Sequence, residues 1–264
     1  MFQASVLQDR FFLSGWPLAK THEDMIPSIA ERESAWLRMQ ERLTQAPRKR
    51  SFPTVTISRQ FGCEGYLLAE RLQHLLEEAS GQPWHLFDKA LVEKVASDQG
   101  LSRQLLSHLG DESHAQDLLR GHFGFTTQND TYAALVKAIV QIATGGRAII
   151  VGRGAAIVCN ELQNCFHFRL EGSLAFRTST LANQRGLPLA DAERLVRTQS
   201  KLRENFIMEC LQADIAAPQW YDARFNNERL GVDAIAEACL SLIASRWPDK
   251  GFFRHQEEPL EARK

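Results

Sequence analysis

Small and polar residues follow the first β-branched stretch of the chain. Residues 54–58 read TVTIS and run directly into 59–66, RQFGCEGY, ahead of a segment with leucines at helical spacing. A glycine-containing turn between a strand and a helix directs backbone N–H groups and the helix N-terminus to one point, which suits a phosphate. The segment lacks the lysine of the phosphate-loop consensus GxxxxGK[ST]. The residues alone leave two interpretations open, a phosphate-binding loop or a tight turn.

Two further polar side chains follow predicted strands. Arg153 lies between two glycines after the apolar segment 147–151, and Asp88 follows the short segment 84–87. Ligands of open α/β sheets bind outside the carboxyl ends of the strands, where a guanidinium can hold a phosphate through two parallel hydrogen bonds. Arg153 could instead cap a helix or pair with a structural carboxylate. Asp88 could orient a hydroxyl or a hydrated Mg²⁺, or could be the N-cap of the next helix.

Cationic side chains are concentrated between residues 169 and 203. Arg194, Arg197 and Lys201 are spaced i, i+3 and i+7, so one helix face could offer three positive charges. Such a run is either a solvated helix face or, in phosphoryl transfer, a source of charge for the transition state. The cations of this stretch include Arg169, Arg177, Arg185, Arg194, Arg197, Lys201 and Arg203.

Other catalytic and metal-binding patterns do not occur in the sequence. The eight histidines are dispersed without an HExxH pair, and the five cysteines form no CxxC pair, which argues against a zinc site. Neither the GxSxG of a hydrolase nucleophile nor a GxGxxG after the first strand is present. An odd number of scattered cysteines fits a reducing compartment, so we expect a cytoplasmic protein.

The elements that position these residues alternate along the chain. Strand, turn, helix and strand follow one another over residues 54–88, which is a βαβ unit and predicts parallel pairing. A helical pattern covers 89–146, further strands are predicted near 147–151 and 165–172, and a closing helix covers 231–247. We therefore expect a three-layer α/β/α domain with a parallel sheet.

Two flanking segments differ from this domain. Residues 1–50 are predicted to be an accessory helical arm and linker, with Ile29, Trp36 and Leu43 spaced seven apart in a narrow apolar stripe. The arm could dock on the domain, on a second copy of the chain or on another protein. Residues 51–247 form the predicted main domain, and residues 248–264 are a polar tail that we expect to be mobile.

The composition excludes several classes of protein. The chain has 264 residues, 44% of them hydrophobic and 24% charged, with a net charge of -1. This balance gives no overall attraction to nucleic acid or to an anionic membrane. No apolar run approaches the roughly 18 residues of a membrane span. We expect a globular protein that binds neither nucleic acid nor a membrane.

Taken in order, these segments resemble the cytidylate kinase-like family, a branch of the P-loop nucleoside monophosphate kinases. The likeness runs from about Thr54 to Ile243. TISRQFGCEG is similar to the family's first strand and phosphate loop, typically ISRxFGSGGR. FDKALV resembles its second-strand DK motif, VGRGA its GR motif, RTQSKLREN its lid helix and WYDARFNN its late YDLxIN strand.

The resemblance implies a P-loop kinase-like fold with a helical acceptor-binding insertion and a lid. It implies transfer of the γ-phosphoryl group of ATP, with Mg²⁺, to a nucleoside monophosphate such as CMP or dCMP. The candidate catalytic residues are Lys201, Arg203 and Asp88, with Asp88 also the candidate Mg²⁺ ligand. The implied donor residues are Ser58, Arg59, Gly62, Cys63, Glu64, Gly65 and Tyr66. The implied acceptor residues are Asp88, Lys89 and Arg153, and the lid residues are Arg177, Arg185 and Arg197.

Two positions of the loop depart from the family pattern. Glu64 stands where the family has a glycine, and Tyr66 where it has a basic residue. Both changes remove positive potential from the expected triphosphate position, and a carboxylate ~4 Å from a phosphate costs about 4 kcal/mol at an effective dielectric near 20. The alternative hypothesis is therefore a catalytically impaired pseudokinase that acts as a nucleotide- or protein-binding module.

Overall fold

The structure is a computed structural model of the chain. It describes residues 52–97 and 130–247, together with the isolated positions Ser28 and Ser34. Apart from those two serines, the predicted arm with its apolar stripe lies outside the described residues, as do the predicted tail and residues 98–129 of the predicted insertion. The domain boundaries therefore stay predictions.

Five described strands form one parallel sheet in the order β2-β3-β1-β4-β5. The first strand lies in the middle, where Thr54 is aligned with Ala148 on one side and with Cys165 on the other. Parallel pairing brings the carboxyl ends of all the strands to one edge of the sheet. The strands are β1 (Thr54–Arg59), β2 (His85–Phe87), β3 (Ala148–Val151), β4 (Cys165–Glu171) and β5 (Ala223–Asn226).

Helices connect these strands, as a parallel sheet requires. A short 3₁₀ turn, Pro218–Trp220, precedes β5. The described helices are α1 (Gly65–Ser80), α2 (Lys89–Ser97), α3 (Asp130–Gly145), α4 (Ala155–Val158), α5 (Leu174–Arg185), α6 (Leu189–Leu211) and α7 (Asn227–Arg246).

Side chains that alternate along β1 pack on opposite faces of the sheet. Val55 and Ile57 contact a cluster that includes Leu68 and Leu72 of α1 and Ile235 of α7. All five are at most 1% exposed, and full burial of such a side chain contributes about 1.5–3 kcal/mol. Helices α1 and α7 therefore form one outer layer.

The opposite face is covered by the other helical layer. Phe87 of β2 and Ile150 of β3 belong to a cluster with Val136 and Ile139 of α3, all four fully buried. Helix α3 lies within the helical pattern predicted over 89–146, and Val136 and Ile139 are three residues apart on its buried side. Two helical layers around a parallel sheet confirm the three-layer α/β prediction.

Helices α5 and α6 form a pair with a small core of their own. Leu181 and Ala182 of α5 pack against Ala192 and Val196 of α6, with Phe61 partly buried against them. Helix α5 begins three residues after β4 ends. The pair therefore starts at the carboxyl edge of the sheet, beside the loop after β1.

Candidate functional site

The loop between β1 and α1 is a compact turn that uses much of its own hydrogen-bonding capacity. Cys63 N–H donates to the Gln60 carbonyl at 3.1 Å, and Gly65 N–H donates to the Cys63 carbonyl at 2.9 Å. Gly62 has a φ of 93°, and a Cβ there would lie 2.6 Å from the carbonyl oxygen of Arg177. Only glycine fits this close approach. The loop is thus packed directly against α5.

Glu64 is held by a side chain that the sequence analysis did not identify. The Glu64 N–H donates to Asn227 Oδ1 at 2.9 Å, and Asn227 Nδ2 donates to Glu64 Oε2 at 3.1 Å. We call this reciprocal pair the Glu64–Asn227 clasp. Asn227 is 1% exposed, and α7 begins with this residue. Because the partners are 163 residues apart, no local signal in the sequence could have predicted the contact.

Arg59, the last residue of β1, lies against two glycines. A Cβ on Gly65 would be 3.0 Å from Arg59 Cγ and Cδ, and a Cβ on Gly152 would be 2.2 Å from Arg59 Nη1. The side chain therefore extends from the start of α1 to the segment after β3. Burial, followed by repulsion from Arg203 and Arg153, lowers the pKa of Arg59 from 12.5 to about 9. Its charge is costly in this position unless an anion offsets it.

A cavity of about 310 Å³ opens where β1 and β3 end. Its wall includes the residues around Gly152 and the inner side of α6. The apolar part of the lining includes Leu202, Phe206 and Ile207. The cations that line it are Arg59, Lys89, Arg153 and Arg203. The cavity thus combines an apolar wall with four positive side chains.

Arg153 is positioned by strained backbone and by one carboxylate. Its φ of 57° is uncommon for a residue other than glycine, and such conformations cluster at functional sites. Its guanidinium pairs with Glu93 of α2 and lies 5.4 Å from the centre of the Phe206 ring. Burial lowers the pKa of Arg153 below its usual value. The ion pair with Glu93 corresponds to one alternative that the sequence left open, while cavity lining corresponds to the other.

Arg203 of α6 reaches back over the loop. Its guanidinium lies 4.8 Å from the centre of the Phe61 ring and donates a long hydrogen bond, 3.5 Å, to the Arg59 carbonyl. Burial and then repulsion from Arg153 lower the pKa of Arg203 to about 10. Phe61, another residue that sequence reasoning did not single out, thus contacts both α6 and a cation of the cavity.

Asp88 caps α2 and stands near the cations. Its Oδ1 accepts the Leu91 N–H at 3.0 Å, as expected of a helix N-cap. Its negative charge acts in the opposite direction to burial and raises the pKa of Arg59. Lys89, the next residue, is exposed and lines the cavity. The N-cap alternative for Asp88 is therefore realised at a position close to the cavity.

Ser58 belongs to a buried polar network at the ends of β1 and β4. Its hydroxyl lies 3.1 Å from Arg169 Nη1 and 3.2 Å from the Tyr221 hydroxyl. Arg169 is 4% exposed and pairs with Glu171 at 2.9 Å, and the Tyr221 hydroxyl donates to the Ile215 carbonyl at 2.6 Å. Ser58 and Tyr221 both line the cavity. The network fixes the cavity floor and satisfies the buried guanidinium.

The remaining predicted residues lie outside the cavity lining. Arg177 donates to the Phe61 carbonyl at 3.2 Å and so fastens the loop to α5. Lys201 and Arg185 are exposed, and Arg197 is exposed and pairs with Glu193 on the same helix at 2.7 Å. The structure does not bring these last three into contact with the cavity lining that it describes.

The loop residues after Arg59 also stay outside that lining. Tyr66 packs against the cluster between the sheet and helices α1 and α7. Burial raises the pKa of Cys63 to about 11, which keeps its thiol protonated and weakly nucleophilic. Gly62, Glu64 and Gly65 complete this group. The sequence-predicted donor group is therefore divided, with Ser58 and Arg59 in the cavity lining and residues 62–66 beside it.

Residues 52–97 and 130–247 contain no group of three or more His, Cys, Asp or Glu side chains arranged for a metal ion. In the same part of the chain, no helix is long and apolar enough to cross a membrane.

Comparisons with known proteins give a family and a fold. The model of the cytidylate kinase-like family matches residues 54–229, more than half of the chain. A crystal structure of an uncharacterized protein from Eubacterium ventriosum ATCC 27560 is similar, with a TM-score of 0.57 and 20% identity. The similarity covers 73% of this chain and 98% of that one. A search of curated proteins found no match.

Proposed function

Because this chain belongs to the cytidylate kinase-like family, we propose that it transfers the γ-phosphoryl group of ATP to a nucleoside monophosphate such as CMP or dCMP. One observation carries the proposal, the presence of Arg59, Lys89, Arg153 and Arg203 around one cavity at the carboxyl ends of the strands. Enzymatic phosphoryl transfer depends mainly on positioning and on neutralising charge. A cluster of guanidinium groups provides both.

The acceptor is best placed on the Arg153 side of the cavity. Arg153 and Lys89 would bind its phosphate, while Phe206 and Leu202 offer an apolar wall to the rest of the nucleotide. Arg203, between the loop and the cavity, would stabilise the charge that develops on the transferring group. Lys201 and the lid residues Arg177, Arg185 and Arg197 would act around this arrangement.

Asp88 fits the part of a Mg²⁺ ligand. Mg²⁺ sites in kinases commonly use one or two carboxylates together with substrate phosphates and water. Asp88 is close enough to Arg59 to perturb it and follows a strand at the carboxyl edge of the sheet. Magnesium bound with ATP would neutralise phosphate charge, while the chain's own cations hold the phosphates in place.

The carboxylate of Glu64 opposes donor binding less than an acidic residue in this loop would suggest. Its carboxylate accepts a hydrogen bond from Asn227 and does not line the described cavity. The repulsion expected from a carboxylate beside a phosphate falls as their separation grows. This placement weakens the charge argument against donor binding.

Arg153→Ala tests the acceptor site, with Arg194→Ala as the matched control. Arg194 is exposed, with 78% of its side chain accessible, and pairs with Asp191 on α6. Loss of charge-assisted hydrogen bonds should raise the acceptor KM by roughly 10- to 100-fold in Arg153→Ala. The control should behave like the parent. An unchanged acceptor KM in Arg153→Ala would contradict the assignment.

The Glu64–Asn227 clasp favours a second candidate, a binding module without phosphoryl transfer. The Glu64 N–H that a phosphate loop would offer to its donor is already hydrogen-bonded to Asn227. Such a protein would bind a nucleotide or another protein, the latter through residues 1–50. Binding of CMP without ATP-dependent turnover would support this candidate over the kinase.

A further inference from the structure

Arg59 occupies a space that two glycines leave for it. Gly65 is the first residue of α1, and Gly152 follows β3, so the two come from segments that are distant in sequence. A methyl group on either would meet the Arg59 side chain, at 3.0 Å and 2.2 Å respectively. The backbone on both sides is therefore shaped around one arginine side chain, with its stem at Gly65 and its guanidinium at Gly152, and this side chain lines the cavity.

This guanidinium has no carboxylate partner among the described residues. Two arginines nearby have one, since Arg169 pairs with Glu171 and Arg153 pairs with Glu93. Arg203, the other half-buried arginine of the cavity, shares with Arg59 the lack of an ion pair to a described carboxylate. The nearby charges that most affect Arg59 are two further cations, Arg203 and Arg153, whose effect on its pKa Asp88 opposes. A buried cation beside like charges is unfavourable without an anion. The arrangement is consistent with a binding site kept ready for an anionic ligand.

In a phosphate-binding loop, N–H groups would bind that anion, but three N–H groups of the loop between β1 and α1 are already hydrogen-bonded within this protein. The N–H groups of Cys63, Glu64 and Gly65 donate to Gln60, to Asn227 and to Cys63 respectively. In a phosphate loop, successive N–H groups of this kind face the ligand. Here these three are hydrogen-bonded within the protein, so they are not available to a phosphate in this structure.

We propose that Arg59 is the principal donor-phosphate ligand of this protein, binding the polyphosphate of the donor with its guanidinium in place of the loop N–H groups. The inference rests on the proposed function, since it takes the ligand to be a nucleoside triphosphate. The donor rather than the acceptor is assigned to Arg59 because this residue ends β1, directly before the loop that the proposed function gives to the donor. Its stem passes Gly65, and its guanidinium lies at Gly152. Arg153, on the other side of Gly152, is left for the acceptor.

Calorimetric titration with inorganic tripolyphosphate tests this role without requiring turnover. Arg59→Met keeps the stem and removes the charge, so the affinity should fall roughly 10- to 100-fold, the range for loss of charge-assisted hydrogen bonds. Gly65→Ala keeps the charge and displaces Arg59, so it should also weaken binding. Arg194→Met is the control, because Arg194 is exposed and lies outside the cavity lining.

A thermal melt separates binding from a structural role. Without ligand, Arg59→Met should melt at the parent's temperature or above it, because it removes one of several neighbouring like charges. Titration with CMP should give the parent affinity in Arg59→Met. Tripolyphosphate affinity unchanged by both Arg59→Met and Gly65→Ala would overturn the inference, as would a parent that does not bind tripolyphosphate.

The outcomes also distinguish this inference from the proposed function. If the parent binds tripolyphosphate through Arg59 but transfers no phosphoryl group, the role of Arg59 is supported and the kinase function is refuted. If the parent transfers the phosphoryl group, and Arg59→Met changes neither the KM for ATP nor the affinity for tripolyphosphate, the kinase function is supported and the role of Arg59 is refuted.

Discussion

His167 lies within β4 and is 5% exposed. Its Nδ1 is 2.7 Å from the Thr56 hydroxyl of the neighbouring strand, and its backbone N–H donates to Asp222 Oδ2 at 2.7 Å. Burial lowers the pKa of His167 from 6.5 to about 4, with Arg246 adding to the effect and Asp222 opposing it. The ring is therefore neutral in the folded protein at neutral pH.

The lowered pKa makes stability depend on pH in one direction. Above pH 6.5 the ring is neutral in both the folded and the unfolded chain, so its contribution is constant. Between 6.5 and 4 the unfolded chain binds a proton that the folded chain does not, so the free energy of unfolding falls as the pH falls. With these two pKa values the loss between pH 8 and pH 5 is about 2 kcal/mol.

Urea denaturation of the parent and of His167→Asn at pH 8 and pH 5 measures this loss. The asparagine keeps a polar atom near Thr56 but cannot titrate. The parent should therefore lose about 2 kcal/mol more than the variant between the two pH values.

The comparison is between pH dependences, so a lower overall stability of His167→Asn does not affect it. Equal losses in the parent and in His167→Asn would refute the reasoning, since they would mean that His167 titrates alike in the folded and unfolded chains. A larger loss in the variant than in the parent would refute it as well.

Three further predictions concern the site and its loop. Arg203→Met should lower kcat by roughly 100-fold or more, because it removes a cation that stabilises the transition state, whereas Lys201→Met should lower kcat by less than about tenfold. Steady-state kinetics of both variants measure the two effects, and equal losses of kcat would contradict the prediction. Glu64→Gly combined with Tyr66→Arg removes a carboxylate from the loop and adds a cation, so it should strengthen ATP binding in calorimetry. No gain would contradict the expectation that these two residues weaken the loop as a phosphate site. Gly62→Ala should reduce the unfolding free energy by at least about 1 kcal/mol in denaturation, because of its positive φ and a carbonyl of α5 at 2.6 Å; unchanged stability would contradict this.

The fold could be predicted because its information is local. Leu68 and Leu72 of α1, or Val136 and Ile139 of α3, recur at the helical period and are buried. The short β-branched strands separated by such helices require parallel pairing. Topology thus follows from patterns that a single stretch of sequence contains.

Cavity-lining residues could be predicted where a residue's position along a strand sufficed. Arg153 and Lys89 follow strands, and the carboxyl ends of parallel strands meet at one edge, so both reach the cavity. The Glu64–Asn227 clasp depends on a tertiary contact that no local pattern encodes. The same holds for Arg59, whose position is determined by Gly152, 93 residues away in the sequence.

Lys201 illustrates a limit of helical periodicity. Its spacing from Arg194 and Arg197 correctly predicts three cations on one helix, but it does not predict which side of that helix faces the cavity. Leu202 and Arg203 line the cavity, while Lys201 is exposed. The orientation depends on how α6 packs against α5 and the sheet, which the charge pattern alone does not reveal.

The most direct measurement is phosphoryl transfer by the purified full chain with Mg·ATP and a panel of nucleoside monophosphates. The account predicts ADP formation that depends on the acceptor, is greatest with CMP or dCMP, and falls sharply in Arg203→Met. No ADP formation and no heat of ATP binding, in a chain that unfolds cooperatively, would contradict it and leave the binding module as the better description.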